Sequence, residues 1–176
     1  MRLPAEQRAI AVRSAPAILI TASAAASAWL RLSPPLLGAA RDMATADRLA
    51  YALQANLPVF LWLAGCLRHP VPVRRRPAGS ADAAPGARLA LPAAVLQNSL
   101  EQTVLAVSAH LVLATVLRGE EMILLPVLVP LYLVGRGFFA LGYAQGAAAP
   151  AFGMALTGAS TIAAFGIAVV LMGLGR

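Results

Sequence analysis

Lysine is missing from these 176 residues, and cysteine occurs once. The single Cys66 excludes an internal disulfide and any cysteine-based metal cage; near the end of an apolar run, it reads as a small packing residue. Charge is scarce too: 12% of residues are charged, against roughly a quarter in soluble domains. No Walker loop, HExxH, nucleophile elbow or calcium-loop pattern occurs, so no metal or phosphate-binding motif is expected. The net charge of +7 does not point to nucleic acid, because the arginines flank apolar segments, where topology signals sit. Absent lysine with abundant Ala, Arg, Gly and Pro reads as GC-rich bacterial coding bias.

What is present in excess is apolar surface. Hydrophobic residues make up 60% of the chain, beyond the roughly 45–50% that a soluble core requires. They fall into five runs of about the length that crosses a hydrocarbon layer: residues 15–32, 46–67, 91–117, 122–144 and 151–174. No period-2 alternation persists, so the runs predict helices and an all-α transmembrane fold. Arg2, Arg8 and Arg13 before the first run, with small-residue triplets such as Ala26-Ser27-Ala28, also fit a signal peptide. Pro58 within "LPVFLWLAGCL" predicts a kink or break in the second run. Residues 68–88, rich in Pro, Gly and Arg, predict an irregular loop, and the Arg74-Arg75-Arg76 run fits a topology determinant that touches anionic headgroups. Short joints "RGEE" and "AQGAAAP" make the last three runs antiparallel neighbours. The division is residues 1–43, an N-terminal apolar helix with an outer loop, and 44–176, a four-helix membrane bundle with a basic loop at 68–90. Arginine placement assigns that loop and the N-terminus to the cytoplasm, and "RGEE" to the outside.

Polar residues interrupt the third run. Gln97, Asn98, Glu101 and Gln102 share one helical face, which Ser108 continues. An ionised carboxylate in bare lipid costs roughly 3 kcal/mol, so Glu101 is expected to face the bundle. Arg136 in the fourth run is the expected partner: counted from the joint between the two runs, both lie about 25–28 Å along their helices. Tyr132, Arg136, Phe139 and Tyr143 share a face at spacings of four, three and four. A Glu101–Arg136 pair between helices is the premise of a pocket at this level.

"QNSLEQ" followed by "VGRGFFALGYAQG" resembles the MAPEG family, membrane-associated proteins in eicosanoid and glutathione metabolism. The resemblance covers residues 44–174 and rests on Asn98, Glu101, Arg136 and Tyr143 in type and order. It implies a four-helix bundle, here with an additional N-terminal helix, assembled as a homotrimer in a bacterial inner membrane. It also implies glutathione, or a related thiol, bound between subunits by Asn98, Glu101, Gln102, Arg136 and Tyr143, for conjugation or peroxide reduction of a lipophilic small molecule. Departures bear on the chemistry. Glutathione-conjugating members carry an arginine one turn before the Asn, where this chain has Ala94, and another near the start of the last helix, where this chain has "GAAAPAF". A tyrosine of some members is Phe139 here. The catalytic residues are therefore unassigned, and the alternative is a non-catalytic membrane binding or scaffold protein that has lost the thiolate-stabilising arginine.

Plainer readings stand beside these. Asn98, Glu101 and Arg136 also fit an interhelical network that fixes register, and Tyr143 an interfacial anchor. His110, on the face opposite Glu101, suits a hydrogen bond to a neighbouring helix. Gly153, Thr157, Ser160 and Ala164 form a small-residue stripe for close helix packing.

Overall fold

The computed structural model describes residues 4–31, 43–68, 87–143, 145 and 148–176. The described residues are helical, without strands: α1 (Ala5–Arg31), α2 (Thr45–Ala55), α3 (Leu57–Arg68), α4 (Ala87–Val116), a short 3-10 turn (Gly119–Ile123), α5 (Leu124–Tyr143) and α6 (Ala151–Gly173). Five stretches are long and apolar enough to cross a membrane, with α2 and α3 together forming one of them. Side chains such as Ile162, Val169, Leu141 and Leu61 point outward, as a bilayer requires and water does not favour. The chain is a multi-pass, all-α membrane protein.

The expected boundaries shift at two places. α1 begins ten residues earlier than the apolar run, because the polar first turns, Ala5 to Arg13, still suit a helix at a headgroup surface. The helix of the third run likewise begins at Ala87; most of the predicted basic loop, 69–86, lies outside the described residues. The break expected around Pro58 falls at Asn56. Proline has no N–H to return to the preceding turn, so the α2 ladder closes with Asn56 N–H bonded to Ala52 O, and α3 restarts with Val59 and Phe60 N–H on Asn56 O.

α6 is the central helix, packing on α5, α1 and α4; α3 lies against α4 and α5. The predicted small-residue stripe is buried at Gly153, Thr157, Ser160 and Ala164. Its tightest point is Gly153, where an added Cβ would collide with the Phe139 and Gly135 backbone. Gly135 is the reciprocal half: a Cβ there would come 2.5 Å from Thr157 Oγ1 and 2.7 Å from Thr157 N. The main apolar core sits toward the "RGEE" end, around Leu113, Leu117, Leu124, Leu125, Leu128 and Leu171. Two polar anchors close that end. Arg48 ties α2 to the end of α4, donating to Ala114 O (3.1 Å) and Thr115 O (3.2 Å), orphan carbonyls that suit a cation. Arg176 pairs with Glu121. α6 ends at Gly173, and beyond it Gly175, with a φ of 80°, lets Arg176 N–H reach back to Leu171 O.

Candidate functional site

Toward the opposite end, the core gives way to smaller apolar clusters and a polar node. Arg136 on α5 is fully buried. Its guanidinium forks onto two neighbouring residues of α4: Nη1 donates to Asn98 Oδ1 at 2.8 Å and Nη2 to Ser99 Oγ at 2.7 Å. The planar fork suits two acceptors that adjacent helical positions hold side by side. The Phe139 ring lies against the cation, 4.2 Å from Cζ to the ring centroid, a contact that helps replace lost hydration. Nε is buried with no hydrogen-bond partner. Among the described residues, no carboxylate lies within ion-pair distance of Arg136.

The expected Glu101–Arg136 pair does not form. Glu101 is exposed and accepts a 2.8 Å hydrogen bond from Gln97 Nε2, one turn earlier. Helix geometry explains the miss. The α4 face turned to α5 is centred between Asn98 and Ser99, and at 100° per residue Glu101 sits about 110° around from that centre. Arg136 meets α4 within one turn of Glu101, and direction around the helix decides that its partners are Asn98 and Ser99. Of the predicted site residues, Asn98 and Arg136 meet directly. Tyr143 is half-buried against Phe139, with centroids 5.1 Å apart, as part of a cluster with Val95, Ala140 and Trp62. Gln102 is half-buried and is not among the hydrogen-bond partners of Arg136. Glu101 points away from all of these.

Several contributors were not foreseen. Ser99, the third residue of "QNSLEQ", is the second acceptor, and its place beside Asn98 is the signal that would have found it. Above the node, Thr103 Oγ1 and the Tyr132 hydroxyl are 2.9 Å apart, again joining α4 to α5. Cys66 on α3 is half-buried and unpaired with any other cysteine. A separate buried pair lies deeper: His110 Nδ1 is 2.8 Å from Asn56 Oδ1, while Asn56 Nδ2 donates to Ala52 O at 2.7 Å. This is the neighbouring-helix hydrogen bond expected of His110, and it pins the α2–α3 break. His110 Nε2 and Trp62 Nε1 are buried without partners.

The arrangement does two things chemically. It locks α4 to α5 through a cation held by neutral acceptors, and it leaves an outward-facing amide–carboxylate pair on α4. Among the described residues no group of three or more His, Cys, Asp or Glu is placed to hold a metal. No family model matches the chain, and no curated protein or solved structure matches it.

Proposed function

We propose that the chain is a MAPEG-type protein of a bacterial inner membrane that self-associates, as a trimer, through the α4 face bearing Gln97 and Glu101. The seam so formed holds a small thiol such as glutathione beside lipid-dissolved electrophiles. One observation carries the reading: the Gln97–Glu101 pair is exposed on a single chain although Glu101 lies eight residues, about 12 Å, inside the apolar span that begins at Ala93. A carboxylate at that depth needs cover, from another subunit or from a polar ligand. The Glu101–Arg136 pair that would have satisfied it within one chain does not form, so support for a ligand site comes from this outward face alone.

Chemistry at such a seam would depend on placing the thiol near its target at high effective concentration. Neither Ala94 nor residues 146–152 supply the cation that helps form a thiolate in conjugating members of the resembled family. A specific observation favours the second reading, a non-catalytic binding or scaffold protein. Arg136, the one arginine in the α5 sequence, is fully buried and already committed to Asn98 and Ser99.

The test is glutathione titration of the purified chain in detergent, with thermal shift, thiolate absorbance and particle mass read together. A trimer with saturable stabilisation of several degrees, lost in Glu101→Ala, supports the binding seam; thiolate near neutral pH supports the enzyme. A trimer indifferent to glutathione leaves the scaffold. A monomer, in detergent and in bilayer discs alike, overturns the proposal.

A further inference from the structure

We propose that the N-terminal helix and α6 together form a binding site for one anionic phospholipid, with an acyl chain in the groove between them and the phosphate on Arg13. The groove, about 360 Å³, is lined by Ile10 and Ser14 of α1 and by Pro150, Ala151, Met154 and Ala155 at the start of α6. Its walls are apolar except for the Ser14 hydroxyl, and it runs for about 6 Å along both helices, four residues on each. That is a fit for the first methylenes of an acyl chain, beside which the remainder lies on the outward apolar flank of α1, with Ile18 and Leu19 exposed.

Charge complementarity names the occupant. Arg13 is exposed at the groove's mouth, one residue from Ser14, and its Nη1 donates to Ala148 O at 2.9 Å. Ala148 belongs to the joint between α5 and α6, so the guanidinium is fixed at the level where the bundle meets the headgroups. That hydrogen bond uses one of five N–H donors, and a guanidinium fork matches phosphate oxygens. Pro150 at the start of α6 supplies no side-chain cap, so the positive end of the α6 dipole opens on the same mouth. Glu6, the carboxylate on this face of α1, is two turns away, about 10 Å from Arg13 along the helix. A zwitterionic lipid would bring its own cation to an already positive mouth; an anionic one would not. This site is independent of the α4 seam.

The test is native mass spectrometry of the full chain released from bilayer discs containing equal phosphatidylglycerol and phosphatidylcholine. Wild type is expected to retain one lipid, with phosphatidylglycerol favoured about fivefold, the preference one interfacial arginine supplies. Arg13→Ala is expected to bring the preference to parity. Ala155→Phe, which fills the groove without touching charge, is expected to lose retention of both lipids while thermal unfolding stays cooperative. Arg176→Ala, at the other end of the bundle, is expected to keep the wild-type preference. Unchanged preference in Arg13→Ala, equal loss in Arg176→Ala, or full retention in Ala155→Phe each overturns the site; if Ala155→Phe does not fold, the two arginine variants decide it.

Discussion

α5 meets two of its neighbours, α6 and α4, in opposite ways. Against α6 it uses backbone: Gly135 and Gly153 face each other with no room for a methyl group. Against α4 it uses long side chains, with Arg136 and Tyr132 spanning the gap to Asn98, Ser99 and Thr103. In lipid there is no hydrophobic drive to join helices, so association rests on close packing and interhelical hydrogen bonds. The two seams are these two solutions, side by side on one helix. A close-packed seam tolerates no added atom. A bridged seam tolerates changes of shape and punishes the loss of one partner while the other stays.

The largest effect expected therefore belongs to the α6 seam. Gly153→Val places branched carbon against the backbone of Phe139 and Gly135, atoms that cannot rotate away. We expect a loss of about 3 kcal/mol or more, seen as a collapsed thermal midpoint and aggregation on size exclusion. Near-wild-type unfolding of this variant would show that the helices can part at little cost and would erase the contrast between the seams.

The bridged seam should show a different signature, non-additivity. Asn98→Leu strands a buried cation on one acceptor and is expected to cost about 2 kcal/mol, within the range for hydrogen bonds to charged groups. Arg136→Met removes the charge with its desolvation penalty and should cost about 1 kcal/mol. The double variant should then cost clearly less than the two singles together. Unfolding midpoints in one detergent read all three. Simple additivity would mean that Asn98 and Arg136 do not share an interaction, and the lock between α4 and α5 would have to lie elsewhere.

How far these seams can be read from sequence follows the same division. Five helices and the stripe of Gly153, Thr157, Ser160 and Ala164 are legible because small or apolar residues recur at helical spacing whatever their partner, and the short joints make the last three antiparallel. Gly135 was not read as half of the close contact, since a lone glycine does not announce what lies opposite. Distance along a helix is fixed by residue count, so the sequence places Arg136 within one turn of the α4 residues it meets. Azimuth depends on which face a third helix claims. With α3 and α6 both packed on α4, Asn98 and Ser99 turn to α5 and Glu101 turns out, a rotation that counting along two helices cannot supply. Ser99 escapes the sequence reading as a partner for the same reason.

Smaller than either seam is the deep pair at the α2–α3 break. Asn56→Leu leaves the His110 ring without its 2.8 Å partner and removes the second, side-chain bond to Ala52 O. Interhelical hydrogen bonds in membranes average about 0.6 kcal/mol with a maximum near 1.7, so we expect about 1 kcal/mol, below Asn98→Leu because no charge is stranded. Hydrogen exchange at the start of α3 should rise more than elsewhere. A cost above that of Asn98→Leu would reverse the ranking and make the break, not the arginine, the main polar support of the bundle.

The smallest effect belongs outside both seams, at the Arg176–Glu121 pair, and there the two partners should differ. Their side chains are 25% and 15% exposed, and such surface pairs contribute about 0–1 kcal/mol. Arg176→Ala is expected to cost less than about 0.5 kcal/mol, a shift of about 1–2 °C in midpoint. Glu121 has a second duty: its other carboxylate oxygen accepts the Arg118 N–H at 2.7 Å, capping the turn that leads into α5. Glu121→Ala should therefore cost about 1 kcal/mol, the usual value of a lost cap, and added salt should weaken only the ion-pair part. Equal costs for the two variants would mean that the turn holds its shape through the chain's end, and that the fastening of α6 to the start of α5 belongs with the seams.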